Sequence, residues 1–342
     1  MTDRLHLSAR AIFAALAVTA AACAACGRPP AMGQFDTLIL VIPDVLWEQV
    51  SDMTEAALEP TIFTTRDDRK FVVTQVDPQA PDIAHLLTWK QVIVMAPPGD
   101  FNLEKIASGA DRDELASPDI FRSFNVWARN QVATGVVLDP AREAASLLEQ
   151  LPALGELVDD DYRAYVRGKM FVSGVDTALA EALEPHVGAT AMVPKVYTLT
   201  LRSGDIAVIR NDNPDPSQLI RSILVQRVPG PGAGPVPAAA DSVYAWRESI
   251  DDVQYNVPQS ITPLEGSDDL LTVNGAFTAQ VRGTWRDEGS FPAAGPFIAR
   301  SMQCEDYTVY IDAWLYSPSP RRSKYEYLLQ LEEILDSFSC SN

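Results

Sequence analysis

The chain has 342 residues, 47% of them hydrophobic and 21% charged, with 46 acidic against 27 basic side chains for a net charge of −19. That balance fits a folded globular protein with a sizeable core, and the length predicts about two domains. It disfavours direct contact with nucleic acid or anionic lipid headgroups, both of which attract basic surfaces.

The first element in chain order reads as an export signal occupying residues 1–25. Arg4, His6 and Arg10 flank the start, residues 11–22 are apolar, and the chain then reads CAACGRPP. Twelve residues of helix span roughly 18 Å, too short for a bilayer core of about 30 Å, so the pattern is a secretory signal and not a membrane span. Small residues before a cysteine resemble the lipobox of bacterial lipoproteins, in which that cysteine takes a diacylglycerol and becomes the new N-terminus. Cys23 and Cys26 both qualify, although neither has a Leu three residues upstream. An ordinary cleaved secretory signal is the alternative. The absence of Asp after either cysteine resembles lipoproteins sorted to the outer membrane, so the expected location is the cell envelope, facing the periplasm. Losing Arg4, Arg10 and Asp3 with residues 1–22 would leave 25 basic and 45 acidic side chains, a charge of about −20. No other stretch is long and apolar enough to span a membrane, which makes the lipid the expected membrane contact.

A first α+β domain is expected over residues 34–190. FDTLILVI at 35–42 is a strand-length apolar run, and a helix capped by Asp44 follows to about Leu58, with Leu46, Trp47, Val50 and Met53 at helical spacing. Strands are expected at 70–76, 90–96 and 123–138, then a helix opening at Pro140 and running through Leu151 toward Val166. Another helix at 175–184 should stop at Pro185.

A second domain is expected over residues 191–342, built mainly of antiparallel strands. YTLTLRSGDIAVIRND forms a hairpin turning at Ser203 and Gly204, and SILVQRV at 222–228 supplies a third strand. PGPGAGPVPAAA at 229–240 lacks any regular pattern and reads as a surface loop. A helix at 241–253 follows. LLTVNGAFTAQVRGTWRD, GPFIARSMQ and YTVYIDAWLY are the remaining strands, with Gly295, Pro296 and Phe297 shaping a turn, and a final helix covers 321–338. The expected fold class is α+β: two α/β sandwich-like domains with mainly antiparallel sheets, each closed by a C-terminal helix. Both halves end in strand, proline, basic residue and helix, which raises the question of duplication.

Beyond the lipobox the only cysteines are Cys304 and Cys340, and an exported protein keeps disulfides. From the turn at Cys304 the strand climbs about nine residues, roughly 30 Å, and a helix of about 18 residues returns roughly 27 Å. The two cysteines should therefore meet and pair. With that pair satisfied, lipidation at Cys26 leaves no odd thiol, so cysteine parity favours Cys26 over Cys23.

Chemistry is sparse. After the signal the histidines are His85 and His186, and no GxSxG, HExxH, paired CxxC or phosphate-binding glycine loop is present. No cofactor and no metal is implied. Acidic clusters at Asp159, Asp160 and Asp161, at Asp212 and Asp215, and at Asp268 and Asp269 lack EF-hand spacing and read as solvated turns. Two Trp/Arg stretches are candidate binding sites, since a guanidinium beside an indole can stack a planar or anionic ligand. These are Trp127 with Arg129 in NVWARNQ, and Trp285 with Arg282 and Arg286 in VRGTWRDEG. A structural stack, with each arginine paired to a carboxylate, is the competing reading.

FDTLILVIPDVLW, NVWARNQ, MVPKVYTL and VNGAFTAQVRGTWRDEG followed by GPF and WLYSP resemble a domain-of-unknown-function family of Gram-negative lipoproteins, over nearly all of the mature chain. The second half is also similar to the Mog1/PsbP-type α/β/α sandwich. These resemblances imply a lipoprotein with no assigned activity, and a fold used for binding and assembly. The function expected from the sequence is non-enzymatic binding or assembly in the envelope, with a protein partner. The alternative is a hydrolase of envelope components that uses acidic residues.

Overall fold

The apolar run near the start forms β1 (Thr37–Val41), and Leu38 to Val41 are fully buried. A computed structural model describes residues 27–112, 114–230, 240–250, 259–287, 289, 293–319 and 323–341. Cys23 and Cys26, most of the 229–240 loop and the end of the expected 241–253 helix lie outside the described residues. The chain divides into two compact units, the first holding residues up to Leu58 and Phe71–Gly155, the second Glu59–Lys70 and Glu156–Asn342.

In the first unit β1 is joined by β2 (Val72–Val76), β3 (Gln91–Ala96), β4 (Asp119–Phe124) and β5 (Val132–Val137) in the order β2-β1-β3-β5-β4. Three pairings are parallel, with Leu38 opposite Gln91 and Gln91 opposite Val132, and only β4 runs antiparallel, to β5. Taken whole, the chain is α+β with mostly antiparallel strands, but this sheet departs from the mainly antiparallel expectation. Its cause is visible in β3 and β5, where every residue is buried. Strands covered on both faces read as continuous apolar runs, the mark of parallel sheets. Helix α1 (Asp44–Leu58) covers the sheet with Leu46, Val50, Thr54 and Leu58, an i, i+4 row that leaves Met53 outside. Helix α2 (Phe101–Gly109) buries Leu103, Ile106 and Ala107.

The expected strand at 123–138 is a hairpin instead. NVWARNQ is its loop, with Asn125 and Asn130 at φ of 58° and 61°, a left-handed conformation that asparagine tolerates. Gln131 fixes the loop: its Oε1 accepts from the amides of Trp127 (2.9 Å) and Ala128 (3.3 Å), and its Nε2 donates to the carbonyls of Leu87 and Trp89, both at 2.6 Å.

Helix α3 (Glu143–Met170) contributes to both units, so the boundary falls after Gly155 rather than near residue 190. Helix α4 (Thr177–Val187) belongs to the second unit because Leu179, Leu183 and Val187 sit in that core. It continues through Pro185 and stops at Gly188, whose φ of +64° suits glycine.

Beside two short two-stranded pairings, Thr61–Phe63 with Asp67–Arg69 and Ala189–Thr190 with Ser339–Cys340, the second unit is built on an eight-stranded antiparallel sheet. Its strands are β6 (Thr198–Ser203), β7 (Ile206–Asn211), β8 (Ile220–Pro229), β9 (Ser260–Pro263), β10 (Asp269–Val273), β11 (Ala276–Asp287), β12 (Ala293–Gln303) and β13 (Tyr307–Tyr316). They lie in the order β9-β11-β12-β13-β8-β7-β6, with β10 also on β11. The hairpin between β6 and β7 turns where the sequence placed it. Gly295 and Phe297 lie inside β12, not in a turn; a side chain at Gly295 would collide with the Leu315 carbonyl.

Helices α4 and α6 (Lys324–Asp336) pack on one face, where Leu183, Ile223, Ile311, Leu331 and Phe338 meet. Helix α5 (Ala240–Ser249) covers the other with Val243 and Trp246, against Leu224, Trp285, Phe297 and Trp314. The result is the α/β/α sandwich expected of this half. Cys304 and Cys340 form the expected disulfide, with Cα atoms 5.7 Å apart. The two sheets have different topologies, so the shared strand-proline-helix endings do not mark a duplicated fold. No helix among the described residues is long and apolar enough to cross a membrane.

Candidate functional site

The strand β8 alternates Arg221, Ile223 and Val225 on the face that carries the α4 and α6 core. An arginine thus occupies an inward position, and it is only 7% exposed. It donates from Nη1 to Gln330 Oε1 on α6 at 2.7 Å and from Nη2 to the Asn213 carbonyl at 3.2 Å. The rings of Tyr197 and Tyr327 lie 5.8 and 5.2 Å from the guanidinium carbon, within cation–π range. No carboxylate pairs with Arg221 among the described residues, and its Nε has no partner there.

This arginine lines an open cleft of about 660 Å³. Tyr197 lines it too; it is 2% exposed, and its hydroxyl has no hydrogen-bond partner among the described residues. Burial pushes that phenol up to about 12, and the nearby Arg221 charge only partly opposes the rise. At the rim Lys169 donates to both oxygens of Glu326, at 2.8 and 3.0 Å. Burial would lower the Lys169 pKa, but these contacts with Glu326 raise it on balance. Gln330 Nε2 also donates to Glu326 at 3.1 Å. Glu326 is therefore balanced by Lys169, and Gln330 stands between it and Arg221. The cleft keeps one uncompensated positive charge. Its walls include the apolar Val172, 83% exposed, and Val196.

The Trp/Arg candidates are differently placed. Trp285 is 3% exposed, its ring 5.0 Å from Trp314, and it donates to the Leu315 carbonyl at 3.3 Å. Arg282 and Arg286 alternate with it along β11 and so point to the opposite face. Arg282 pairs with Asp269 at 2.9 Å and Glu332 at 3.4 Å, and Arg286 borders a shallow hollow of about 480 Å³ beside Arg66. The sheet thus separates Trp285 from both arginines. In the first unit Lys105 Nζ stands 5.5 Å over the Trp127 ring, while Arg129 is exposed and bonds through its backbone to Pro29 and Ala31.

Parallel sheets bind ligands beyond the carboxyl ends of their strands, where the strand order reverses. Here that place lies beyond β1 and β3, and a hollow of about 500 Å³ between Pro43 and Arg142 adjoins it. Its helix amides are already occupied. Asp100 accepts from Asn102 and Leu103, Asp139 from Ala141 and the Arg142 guanidinium, and Asp77 from Asp44. Carboxylates at these positions repel the phosphates that such crevices otherwise attract. Among the described residues no group of three His, Cys, Asp or Glu side chains is arranged to hold a metal.

Sequence reasoning passed over Arg221, Tyr197 and Gln330. The available signal was an arginine in register with Ile223 and Val225 on an apolar strand.

Residues 176–337 match the model of a family described as a domain of unknown function, DUF4837. The match covers the second half, not nearly the whole mature chain. No curated protein matches the sequence. Among solved structures, the chain is similar to a Bacteroides thetaiotaomicron protein at 6% identity and a TM-score of 0.27, covering 45% of this chain and 46% of that one. It thus spans less than half the length of that protein. It is similar to the cyanobacterial PsbP of Synechocystis at 13% identity and a TM-score of 0.31, covering 45% and 86%. It is also similar to LpqN of Mycobacterium tuberculosis, involved in cell envelope biogenesis, at 12% identity and a TM-score of 0.27, covering 45% and 83%.

Proposed function

We propose that this protein is a lipid-anchored component of the cell envelope, held at the outer membrane and facing the periplasm, that works by binding rather than by turnover. The Arg221 cleft is its binding site. The observation that carries the binding reading is a nearly buried arginine with no carboxylate partner among the described residues, opening on a cleft in a chain of net charge −19. A buried cation costs free energy unless it is paired, and an acidic protein has carboxylates to spare for pairing. A site left unpaired in such a chain is suited to a ligand that brings the missing charge.

The anchor rests on the small residues before Cys23 and Cys26, with Cys26 favoured because Cys304 and Cys340 satisfy each other. The acidic residues give a hydrolytic role less support. Asp159 is held by Lys70 and Arg163, and Asp212 by Arg210.

Metabolic labelling with an alkyne-tagged fatty acid tests the anchor: wild type takes label, and Cys26→Ala loses it. Absence of label on the wild type would remove the lipoprotein reading. Native mass spectrometry of protein extracted from its own membrane tests the cleft: a small molecule retained by wild type and lost in Arg221→Gln supports binding. Turnover of peptidoglycan by purified protein, with nothing retained in the cleft, would overturn it.

A further inference from the structure

Resting on that reading of the cleft, we infer that its ligand is a small amphipathic monocarboxylate, an acid with one ionised head and an apolar aliphatic or aromatic body. The charge count sets the head. Lys169 and Glu326 cancel, which leaves the single positive charge of Arg221. A monoanion neutralises it, whereas a phosphate monoester near neutral pH brings a second negative charge into a partly desolvated site of an acidic chain.

The donors set the geometry. Two Arg221 nitrogens are engaged by Gln330 and Asn213, and among the described residues the buried Nε and the buried Tyr197 hydroxyl have no partner. A carboxylate has two oxygens and accepts from both kinds of donor. Tyr197 stays protonated and able to donate at neutral pH.

The walls set the body. Met170, Val172, Val196, Leu219 and Tyr327 line the cleft, and its volume lies within the range of about 300–1,000 Å³ that small-molecule sites occupy. Apolar side chains around one charged anchor, Val172 and Val196 exposed among them, recognise a molecule with an apolar tail and a single polar end.

Titration calorimetry of the full-length protein with decanoate, decyl phosphate and decanol tests the inference. Decanoate should bind at least tenfold more tightly than decanol or, at pH 8, decyl phosphate. Arg221→Gln should lose at least tenfold in decanoate affinity and leave decanol unchanged. Tyr197→Phe should lose about threefold to tenfold, with the thermal unfolding of both variants showing that they remain folded. Equal binding of decanol and decanoate would overturn the carboxylate, as would preference for the phosphate, while leaving the cleft as a binding site. Failure of all three probes to bind wild type would overturn both the inference and the cleft.

Discussion

Arg247 Nε lies 2.7 Å from Asp312 Oδ2, and both side chains are fully buried beneath α5. Arg247 also sits 5.3 Å over the Phe297 ring. Removing one partner of such a pair leaves the other charge in the core, which costs about 3–5 kcal/mol. Asp312→Ala should therefore lower the free energy of unfolding by about that much, measured by urea titration. The double replacement of Arg247→Met with Asp312→Leu should recover most of the loss, because it removes both desolvation costs. A double variant as unstable as Asp312→Ala alone would show that the pair is worth more than its burial costs.

Gln131 makes four hydrogen bonds from one buried amide, two accepted from the 125–131 loop and two donated to the carbonyls of Leu87 and Trp89. Gln131→Leu keeps the volume and strands all four backbone groups. At about 1 kcal/mol or more for each unmet group, the loss should exceed about 3 kcal/mol, with amide exchange accelerated first at Trp127 and Ala128. Exchange spread evenly over the first unit would contradict a local clamp.

Cys304 and Cys340 close a loop across a sequence separation of 36. The chain-entropy model gives about 4 kcal/mol for that length. Replacing both cysteines with alanine should lower stability by about 2–4 kcal/mol and leave the circular dichroism of the folded protein unchanged. Equal stability of oxidised and reduced wild type would show that the crosslink constrains nothing the rest of the fold has not already fixed.

That disulfide was legible in the sequence because a strand and a helix of matched length had to bring its ends together. The β6–β7 hairpin was legible for an equally local reason, the Ser203–Gly204 turn. The parallel first sheet was not, since the continuous apolar run QVIVMA marks a strand buried on both faces, and its direction is fixed only by how the chain connects it to its neighbours. NVWARNQ looked like a strand because nothing local announces that Asn125 and Asn130 turn left-handed. The Arg221 cleft was hidden by distance: Gln330 is 109 residues away along the chain. Trp285 and its arginines were visible as a pattern, but period-two alternation in one strand sends them to opposite faces.

Asp159 links Lys70, Arg163 and the Tyr325 hydroxyl. Burial works to raise its pKa, but the hydrogen bonds from Tyr325 and Arg163 and the charge of Lys70 outweigh it and hold the carboxyl below its ordinary value. A carboxyl depressed in the folded state adds stability that is present above the unfolded value of about 3.9 and is lost as pH falls through the folded one. Asp159→Asn should be less stable than wild type at pH 7, with the gap closing below about pH 4. A gap that stays constant down to about pH 2 would show that the carboxylate charge does not matter there.

Tyr197 gives the opposite limb. Its phenol is raised by burial to about 12 in the folded state, against about 10 when unfolded. Its contribution is fully present below about pH 10 and is lost as pH climbs toward the folded value, on the order of 2–3 kcal/mol in all. Tyr197→Phe removes a hydroxyl that has no partner among the described residues, so it should leave stability at pH 7 unchanged or slightly higher. It should also flatten the loss between about pH 10 and 12. The same substitution weakens decanoate binding if the hydroxyl donates to the ligand, so stability and affinity should move independently. A variant that loses both together would assign Tyr197 to packing alone.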